Sequence, residues 1–257
     1  MNKIKYYIRF IPPLLIFILT MVLIFFCINH GFMGLFYAEW YITGTLAWFL
    51  FSIIFVLWIM AFYTIMWDDP GSMKLEMRAN QNNNHNCHIL CPKCGMTKPF
   101  RTHHCSICNC CFACMDHHCT VVGRCIALRN RKVFIQYLCY SILMLLIYAL
   151  CCFVSIFINE FTSFPIFLVL NCFVGASLAL FLGILLYQQI STMLKGRTIM
   201  EELCEIRFTD GLTKYQRFQE VFGPPSLDWI IPRPLPFKYV NAFQWEKYRT
   251  IESKKSE

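Results

Sequence analysis

The sequence predicts an α-helical integral membrane protein with four transmembrane helices and a Cys-rich cytoplasmic domain between the second and the third. Three observations predict it. Of 257 residues, 57% are hydrophobic and only 15% charged, four apolar stretches approach or exceed the length of a membrane span, and basic residues avoid two of the loops between them. A composition this apolar is foreign to a soluble domain of such size.

The four stretches run over about 11–28, 41–66, 133–158 and 165–194, each near or beyond the ~20 residues that cross a bilayer as a helix. The first carries Pro12-Pro13 near its start and ends at Asn29-His30-Gly31 without the small-residue cleavage pattern of a secretory signal, so it reads as a span. Orientation follows from Lys and Arg, which accumulate in cytoplasmic loops. Three lie at Lys3, Lys5 and Arg9, nine from Lys74 to Lys132 and eleven from Lys195 onward, and these are all 23 in the chain. The loops at 31–40 and 159–164 have none. Both termini, the middle loop and the tail over 195–257 are therefore expected in the cytoplasm, with residues 1–67 holding the first two spans. The same asymmetry explains the net charge of +8, and no nucleic-acid partner is expected, since basic residues are not interleaved with aromatics on a soluble face.

The second span ends at Asp68-Asp69-Pro70-Gly71, where Pro stops a helix and Gly permits a turn. Residues 80–86, with Asn82-Asn83-Asn84, read as a solvated linker. The rest of the cytoplasmic domain, assigned 68–134, has too few aliphatic residues to build a core without metal. Ten of the 16 cysteines lie between Cys87 and Cys125. On the cytoplasmic side thiols stay reduced, so metal binding or chemistry is expected of them, not disulfides. Cys27, Cys139, Cys151, Cys152 and Cys172 lie in the apolar spans and read as small packing residues.

Two Cys-x-x-Cys pairs, Cys91/Cys94 and Cys105/Cys108, are the strongest metal signal in the chain. The two-residue gap lets both thiolates face one tetrahedral ion. Two zinc ions then need two further ligands each, from a pool of His103, His104, Cys110, Cys111, Cys114, His117, His118, Cys119 and Cys125. The pool exceeds the need. A purely structural domain has no use for adjacent His-His-Cys preceded by an acid, and neighbouring side chains such as His117 and His118 point different ways.

From Cys91 to Phe134 the chain resembles the DHHC-type protein S-acyltransferases, or palmitoyltransferases, without a gap. The matching residues are Cys91-Pro92-Lys93-Cys94, Lys98-Pro99 and Arg101, His104-Cys105-Ser106-Ile107-Cys108, Cys111, Met115-Asp116-His117-His118-Cys119, Cys125, Asn130 and Phe134. The four-span topology and Asp69-Pro70-Gly71 fit the same family. The resemblance implies two interleaved Cys3His zinc sites, Cys91, Cys94, His104 and Cys111 for one ion and Cys105, Cys108, His118 and Cys125 for the other. It implies that Asp116 orients His117, and that His117 serves as base to the nucleophile Cys119, the general logic of a nucleophile, base and orienting acid. A fatty acyl group, palmitoyl or similar, would pass from acyl-CoA to Cys119 as a thioester and then to the cysteine of a substrate protein. A thiol suits this because thiolate is the attacking form, and lowering its pKa from about 8.5 to about 6.5 raises that form at pH 7 from about 3% to about 75%.

The partners this implies are acyl-CoA, membrane-associated proteins with cytoplasmic cysteines, the lipid bilayer and, as an open slot, an accessory subunit. A sixteen-carbon tail represents on the order of 12 kcal/mol of burial at about 0.8 per methylene, so an apolar cavity between spans would take it from the bilayer at little cost. Arg124, Arg129, Arg131 and Lys132 cluster near the nucleophile and are candidates for the CoA phosphates, although topology alone also accounts for them.

The chain departs from the pattern of the family it resembles at four points. Thr120-Val121 stands where Pro-Trp is usual, and Arg124 where Asn is. Thr198-Ile199-Met200-Glu201 stands for Thr-Thr-x-Glu, which removes a hydroxyl that could support the acid. Beside Val221-Phe222-Gly223, Arg217 occupies the usual Asn position. These departures define a second reading, a zinc-stabilised membrane scaffold or regulatory subunit with weak or no turnover. Thr198 and Glu201 also read simply as a helix cap. The ending Lys254-Lys255-Ser256-Glu257 resembles a dilysine retrieval signal, which points to the endoplasmic reticulum membrane, with the Golgi as the alternative.

Overall fold

The computed structural model describes residues 11–26, 40–79, 89–158, 165–206 and 210–245. Residues 31–39 of the first expected loop, the loop at 159–164, the whole Asn-rich linker at 80–86, Cys27, Cys87, the basic residues Lys3, Lys5 and Arg9, and the Lys254-Lys255 pair lie outside them. In chain order the elements are helices α1 (Ile11–Phe26), α2 (Tyr41–Trp67) and α3 (Met73–Ala79), strands β1 (Thr102–Cys105), β2 (Cys110–Ala113), β3 (His117–Cys119) and β4 (Arg124–Ile126), then helices α4 (Arg131–Ile158), α5 (Pro165–Leu194), α6 (Ile199–Leu203) and α7 (Lys214–Phe222).

Among the described residues, three helices are long and apolar enough to cross a membrane, over Tyr41–Trp67, Arg131–Phe157 and Leu168–Leu194. Each has 27 residues, about 40 Å at 1.5 Å per residue, against a hydrocarbon core of about 30 Å. Helix α1 has 16 residues, about 24 Å. These helices are apolar all round, the pattern of segments with no water-facing side, and Ile42, Phe49, Leu150, Phe173 and Leu180 stand exposed along them.

Chain contacts divide the molecule into two units, Met1–Met60 with Gln136–Tyr187 and Ala61–Ile135 with Gln188–Glu257. Within the first, several of the polar side chains among the described residues are paired. Trp58 Nε1 donates to Ser141 Oγ at 2.9 Å, Ser141 Oγ donates in turn to the Tyr137 carbonyl at 2.8 Å, and the Tyr148 hydroxyl donates to Asn171 Oδ1. A pairing of this kind is required where no water can replace it. Gly175 lets α5 approach α4, since a Cβ there would lie 3.2 Å from the Tyr148 ring.

The second unit carries the Cys-rich domain. It is made of two antiparallel hairpins, β1 with β2 and β3 with β4, too short for any alternating sequence pattern to announce them. Its apolar cores are correspondingly unusual. One is built around Cys91, Cys111 and Cys114 together with tail residues Leu235, Phe243 and Trp245, and the other around Cys105, Cys125 and Phe112.

The Asp69-Pro70-Gly71 turn fixes the chain where it leaves α2. Asp69 Oδ1 accepts from the amides of Gly71 at 2.9 Å and Ser72 at 2.6 Å, the Asx-turn arrangement. The turn is then stitched to the domain, with Ala113 N donating to Gly71 O and Arg129 N to Pro70 O, both at 3.0 Å. Gly71 has φ +107°, and a Cβ would meet Arg129 Cγ at 3.3 Å and Leu128 Cβ at 3.4 Å, so glycine is required on both counts.

Two buried ion pairs fasten distant segments to the domain. Arg129 makes a two-point contact with Glu76 of α3, at 2.6 and 2.7 Å, and also donates to the carbonyls of Leu235 and Val240. Arg101 does the same with Glu201 of α6, at 2.7 and 3.0 Å. Such fork-to-fork pairs fix geometry as well as charge.

Candidate functional site

The hairpin registers place the metal-type side chains. His104 lies opposite Cys111 across β1 and β2, and His118 opposite Cys125 across β3 and β4. Directly opposed residues have Cβ atoms about 4.5–5.5 Å apart, and each such pair meets one Cys-x-x-Cys knuckle. The result is two four-residue clusters, Cys91, Cys94, His104 and Cys111, and Cys105, Cys108, His118 and Cys125, each with ligand atoms within 4.8 Å of one another.

The donor sets fit zinc. A tetrahedral ion at about 2.3 Å from sulfur and about 2.0–2.1 Å from nitrogen needs S···S edges of about 3.8 Å and S···N edges of about 3.5 Å. His118 Nδ1 lies 3.6, 3.5 and 3.5 Å from the sulfurs of Cys105, Cys108 and Cys125, and Cys125 and Cys108 sulfurs are 3.6 Å apart. In the other cluster His104 Nδ1 lies 3.7 Å from both Cys91 and Cys111, and the Cys94 and Cys111 sulfurs are 3.5 Å apart. Both sets offer four protein ligands, the number that closes a structural site.

From the ligand pool, Cys110, Cys114, His103, His117 and Cys119 stand outside both clusters. Cys114 is buried, and desolvation pushes its thiol up to about 12 despite the nearby Arg101 charge. An uncharged thiol of that kind packs but does not react.

Strand β3 separates the remaining groups. Successive side chains of a strand point to opposite faces, so His118 turns to its metal cluster while His117 and Cys119, two residues apart, share the other face. Asp116 immediately precedes β3 with its side chain fully buried, and its Oδ2 lies 2.8 Å from His117 Nδ1. The same oxygen accepts from Gln189 Nε2 of α5 at 2.7 Å, and Oδ1 accepts from the Ile199 amide at 3.0 Å with Arg131 Nη2 at 3.6 Å. The Phe134 ring packs against the His117 imidazole in an edge-type contact, 5.4 Å centroid to centroid.

The electrostatics of these groups agree with their geometry. Burial would raise the Asp116 carboxyl, but the Arg131 charge and hydrogen bonds from His117 and Gln189 outweigh it and hold it at about 2. Burial likewise works against the His117 cation, yet Asp116 and Cys119 bring it up to about 9. For Cys119 desolvation favours the thiol. His117 and the main-chain amides of Val122 and Val121 reverse this and leave its pKa below the ordinary value. Carboxylate, imidazole and thiol thus stand in sequence, with the imidazole made more basic by Asp116 and Cys119 and the Cys119 thiol made more acidic by His117.

Three of the four basic residues considered for phosphate contact are turned inward. Arg129 is engaged with Glu76, Leu235 and Val240, as described above. Arg131 donates to Thr192 Oγ1 and the Arg197 carbonyl, both at 2.8 Å, and stands beside Asp116. Lys132 is buried. Arg124, half-buried, donates to the Asp68 carbonyl at 3.0 Å, which ties the β3–β4 hairpin to the end of α2.

The departures near the tail also acquire partners. Thr198 and Glu201 form a reciprocal cap on α6, and Glu201 holds Arg101 as well. Arg217 donates to Asp210 Oδ1 at 2.6 Å and to the Leu194 carbonyl at 3.1 Å, so it caps the end of α5. Gln189, the Ile199 amide and the inward role of Arg131 were not anticipated from sequence. Gln189 and Ile199 lie more than seventy residues from Asp116, and Arg131 finds Gln189, Thr192 and Arg197 more than fifty residues away, so no local pattern marks them.

Comparison with known proteins follows the same residues. A profile of the family described as DHHC palmitoyltransferase matches residues 84–206. The chain is 27% identical over 209 residues to "Probable protein S-acyltransferase 12" of Arabidopsis thaliana, covering 72% of each. It is 34% identical over 158 residues to "Palmitoyltransferase ZDHHC15" of Homo sapiens, covering 56% of this chain and 46% of that protein. It is 30% identical over 202 residues to "Palmitoyltransferase ZDHHC7" of Rattus norvegicus, covering 71% and 66%. The chain thus spans about half the length of some curated relatives and about two thirds or more of others.

Proposed function

The chain belongs to the DHHC palmitoyltransferase family, and from that premise we propose that it is a protein S-acyltransferase whose nucleophile is Cys119. The observation that carries the reading is the Asp116–His117–Cys119 line, in which a buried carboxylate fixes an imidazole that faces a thiol of lowered pKa.

The proposed reaction has two steps. In the first, the Cys119 thiolate attacks the carbonyl carbon of a fatty acyl-CoA thioester. The bond from that carbon to the CoA sulfur breaks, and the CoA thiolate leaves with the proton held on His117. In the second, His117 takes the proton of a substrate-protein thiol. That sulfur attacks the acyl carbon, the bond to Cys119 breaks, and the thiolate is restored. One thioester replaces another at each step, so no external energy source is needed. Asp116 keeps the imidazole in one orientation and stabilises its charged form.

Zinc, held by Cys91, Cys94, His104 and Cys111 and by Cys105, Cys108, His118 and Cys125, would supply folding energy and no reactive position. His118 belongs to this scaffold and His117 to the chemistry. The proposed topology is four spans, with α1 as the first, and cytoplasmic termini in accord with the distribution of basic residues. Of the four cations considered for CoA, Arg124 is the one left partly exposed and is proposed for a phosphate.

The test is incubation of the purified full chain with labelled palmitoyl-CoA. Label released by neutral hydroxylamine and absent from Cys119→Ala is expected. An unlabelled wild type with its zinc intact would sink the proposal.

A further inference from the structure

A fully buried carboxylate needs donors for its oxygens, because removing them from water uncompensated is costly. Asp116 meets that need from three elements. His117 and Gln189 reach Oδ2 at 2.8 and 2.7 Å, and the Ile199 amide reaches Oδ1 at 3.0 Å. Position 199 carries no hydroxyl in this chain, so its side chain offers nothing to the acid. Gln189 sits in the last turns of α5 and is itself only 2% exposed.

The direction of its amide is fixed by its surroundings. Gln189 Oε1 faces Arg131 Nε at 3.4 Å, and the Arg131 guanidinium is held in turn by Thr192 Oγ1 and the Arg197 carbonyl, both at 2.8 Å. A flipped amide would set its oxygen against the Asp116 carboxylate and its NH2 against the guanidinium, two repulsive contacts in place of two attractive ones. The donor therefore points at the same carboxylate oxygen that holds His117.

We infer that Gln189 is a positioning residue for acyl transfer, its side-chain amide holding Asp116 in register with His117 in place of the hydroxyl absent at Ile199. The inference rests on the acyltransferase reading above. Gln189 touches neither the thiol nor the acyl carbon in this account and acts through Asp116 alone. It gives the final turns of α5 a direct bond to the acid of the site.

The test is the single-turnover rate of Cys119 acylation by palmitoyl-CoA in the full chain, with bound zinc measured alongside. Gln189→Met keeps the volume and removes the donor. Its maximal acylation rate is expected to fall by about 10- to 100-fold, the range spanned by one hydrogen bond to a buried charge, with the concentration for half-maximal rate unchanged within about threefold. Gln189→His places a ring Nε2–H as many bonds from Cα as the amide nitrogen and is expected to keep most of the rate. Ile199→Thr in the Gln189→Met background is expected to restore much of it, since a hydroxyl there supplies a donor to Asp116 and none of the packing of Gln189. A Gln189→Met rate equal to wild type overturns the inference. If that variant does not fold, a Gln189→His rate reduced by tenfold or more with two zinc ions bound overturns it equally. Failure of wild type to acylate Cys119 overturns instead the acyltransferase reading, and this inference with it.

Discussion

Glu201 and Glu202 are adjacent carboxylates on the same short helix with opposite surroundings, and the account predicts very different consequences for neutralising them. The Glu201 carboxylate is fully buried and accepts from Arg101 Nε at 2.7 Å, Arg101 Nη2 at 3.0 Å and the Thr198 amide at 2.8 Å. Arg101 is only 5% exposed at its side chain. Glu201→Gln removes the carboxylate hydrogen-bonded to that guanidinium, and breaking a buried pair in this way costs about 3–5 kcal/mol. Glu202 pairs with Lys195 at 3.0 Å, with the two side chains 32% and 55% exposed. Water screens such a pair, and Glu202→Gln should cost no more than about 1 kcal/mol. Thermal unfolding of the detergent-solubilised protein separates the two. At roughly 2–4 °C per kcal/mol for a unit of this size, Glu201→Gln should unfold roughly 10 °C lower and Glu202→Gln within about 4 °C of wild type. Because α6 also presents the Ile199 amide to Asp116, slower Cys119 acylation is expected in Glu201→Gln alone. Equal shifts in the two variants would refute the assignment of Glu201 as a structural anchor.

Removing His118 should abolish one zinc site and spare the other, so His118→Ala is expected to bind about one ion per chain by elemental analysis. His103→Ala, outside both clusters, should keep about two; loss of an ion from His103→Ala and not from His118→Ala would reverse the ligand assignment. Gly71→Ala forces a Cβ into a left-handed turn beside Leu128 and Arg129; a loss exceeding about 1 kcal/mol is expected from denaturant melts, and a stabilised protein would contradict the close approach. Arg124→Ala removes the bond to the Asp68 carbonyl; a loss on the order of 1 kcal/mol is expected, and an unaltered melt would mean that this contact anchors nothing.

The parts of the molecule legible in the sequence are those encoded by local spacing. The Cys91/Cys94 and Cys105/Cys108 knuckles announce metal because ligand geometry demands a two-residue gap, and the long apolar runs announce α2, α4 and α5 because bilayer thickness sets their length. Asp116, His117 and Cys119 could be singled out because they fall within four residues, and the Asp116 carboxylate does lie 2.8 Å from His117. Partners were not legible. Arg101 meets Glu201 across 100 residues, and Arg129 meets Glu76 across 53, distances over which residue type alone carries no information. For the same reason Arg129 and Arg131 read from sequence as free cations near an anionic donor, because the bias toward cytoplasmic basic residues reports charge and side but not the carboxylates that absorb them. The strands are three or four residues long, too short for a period-2 signal, and their register follows from the metal-type pairs they bring together. The packing of Leu235, Phe243 and Trp245 onto the Cys-rich domain completes a core that the domain's own residues cannot supply.

The central claim is that His118 and Cys119, adjacent in β3, serve different ends, one structural and the other chemical. Mass spectrometry of the full chain after brief exposure to palmitoyl-CoA tests it most directly, with native mass measured first to count bound zinc. The account predicts two zinc ions and a single acyl group carried on the peptide that contains Cys119. An acyl group found on another cysteine, or none in protein that retains both ions, would contradict it.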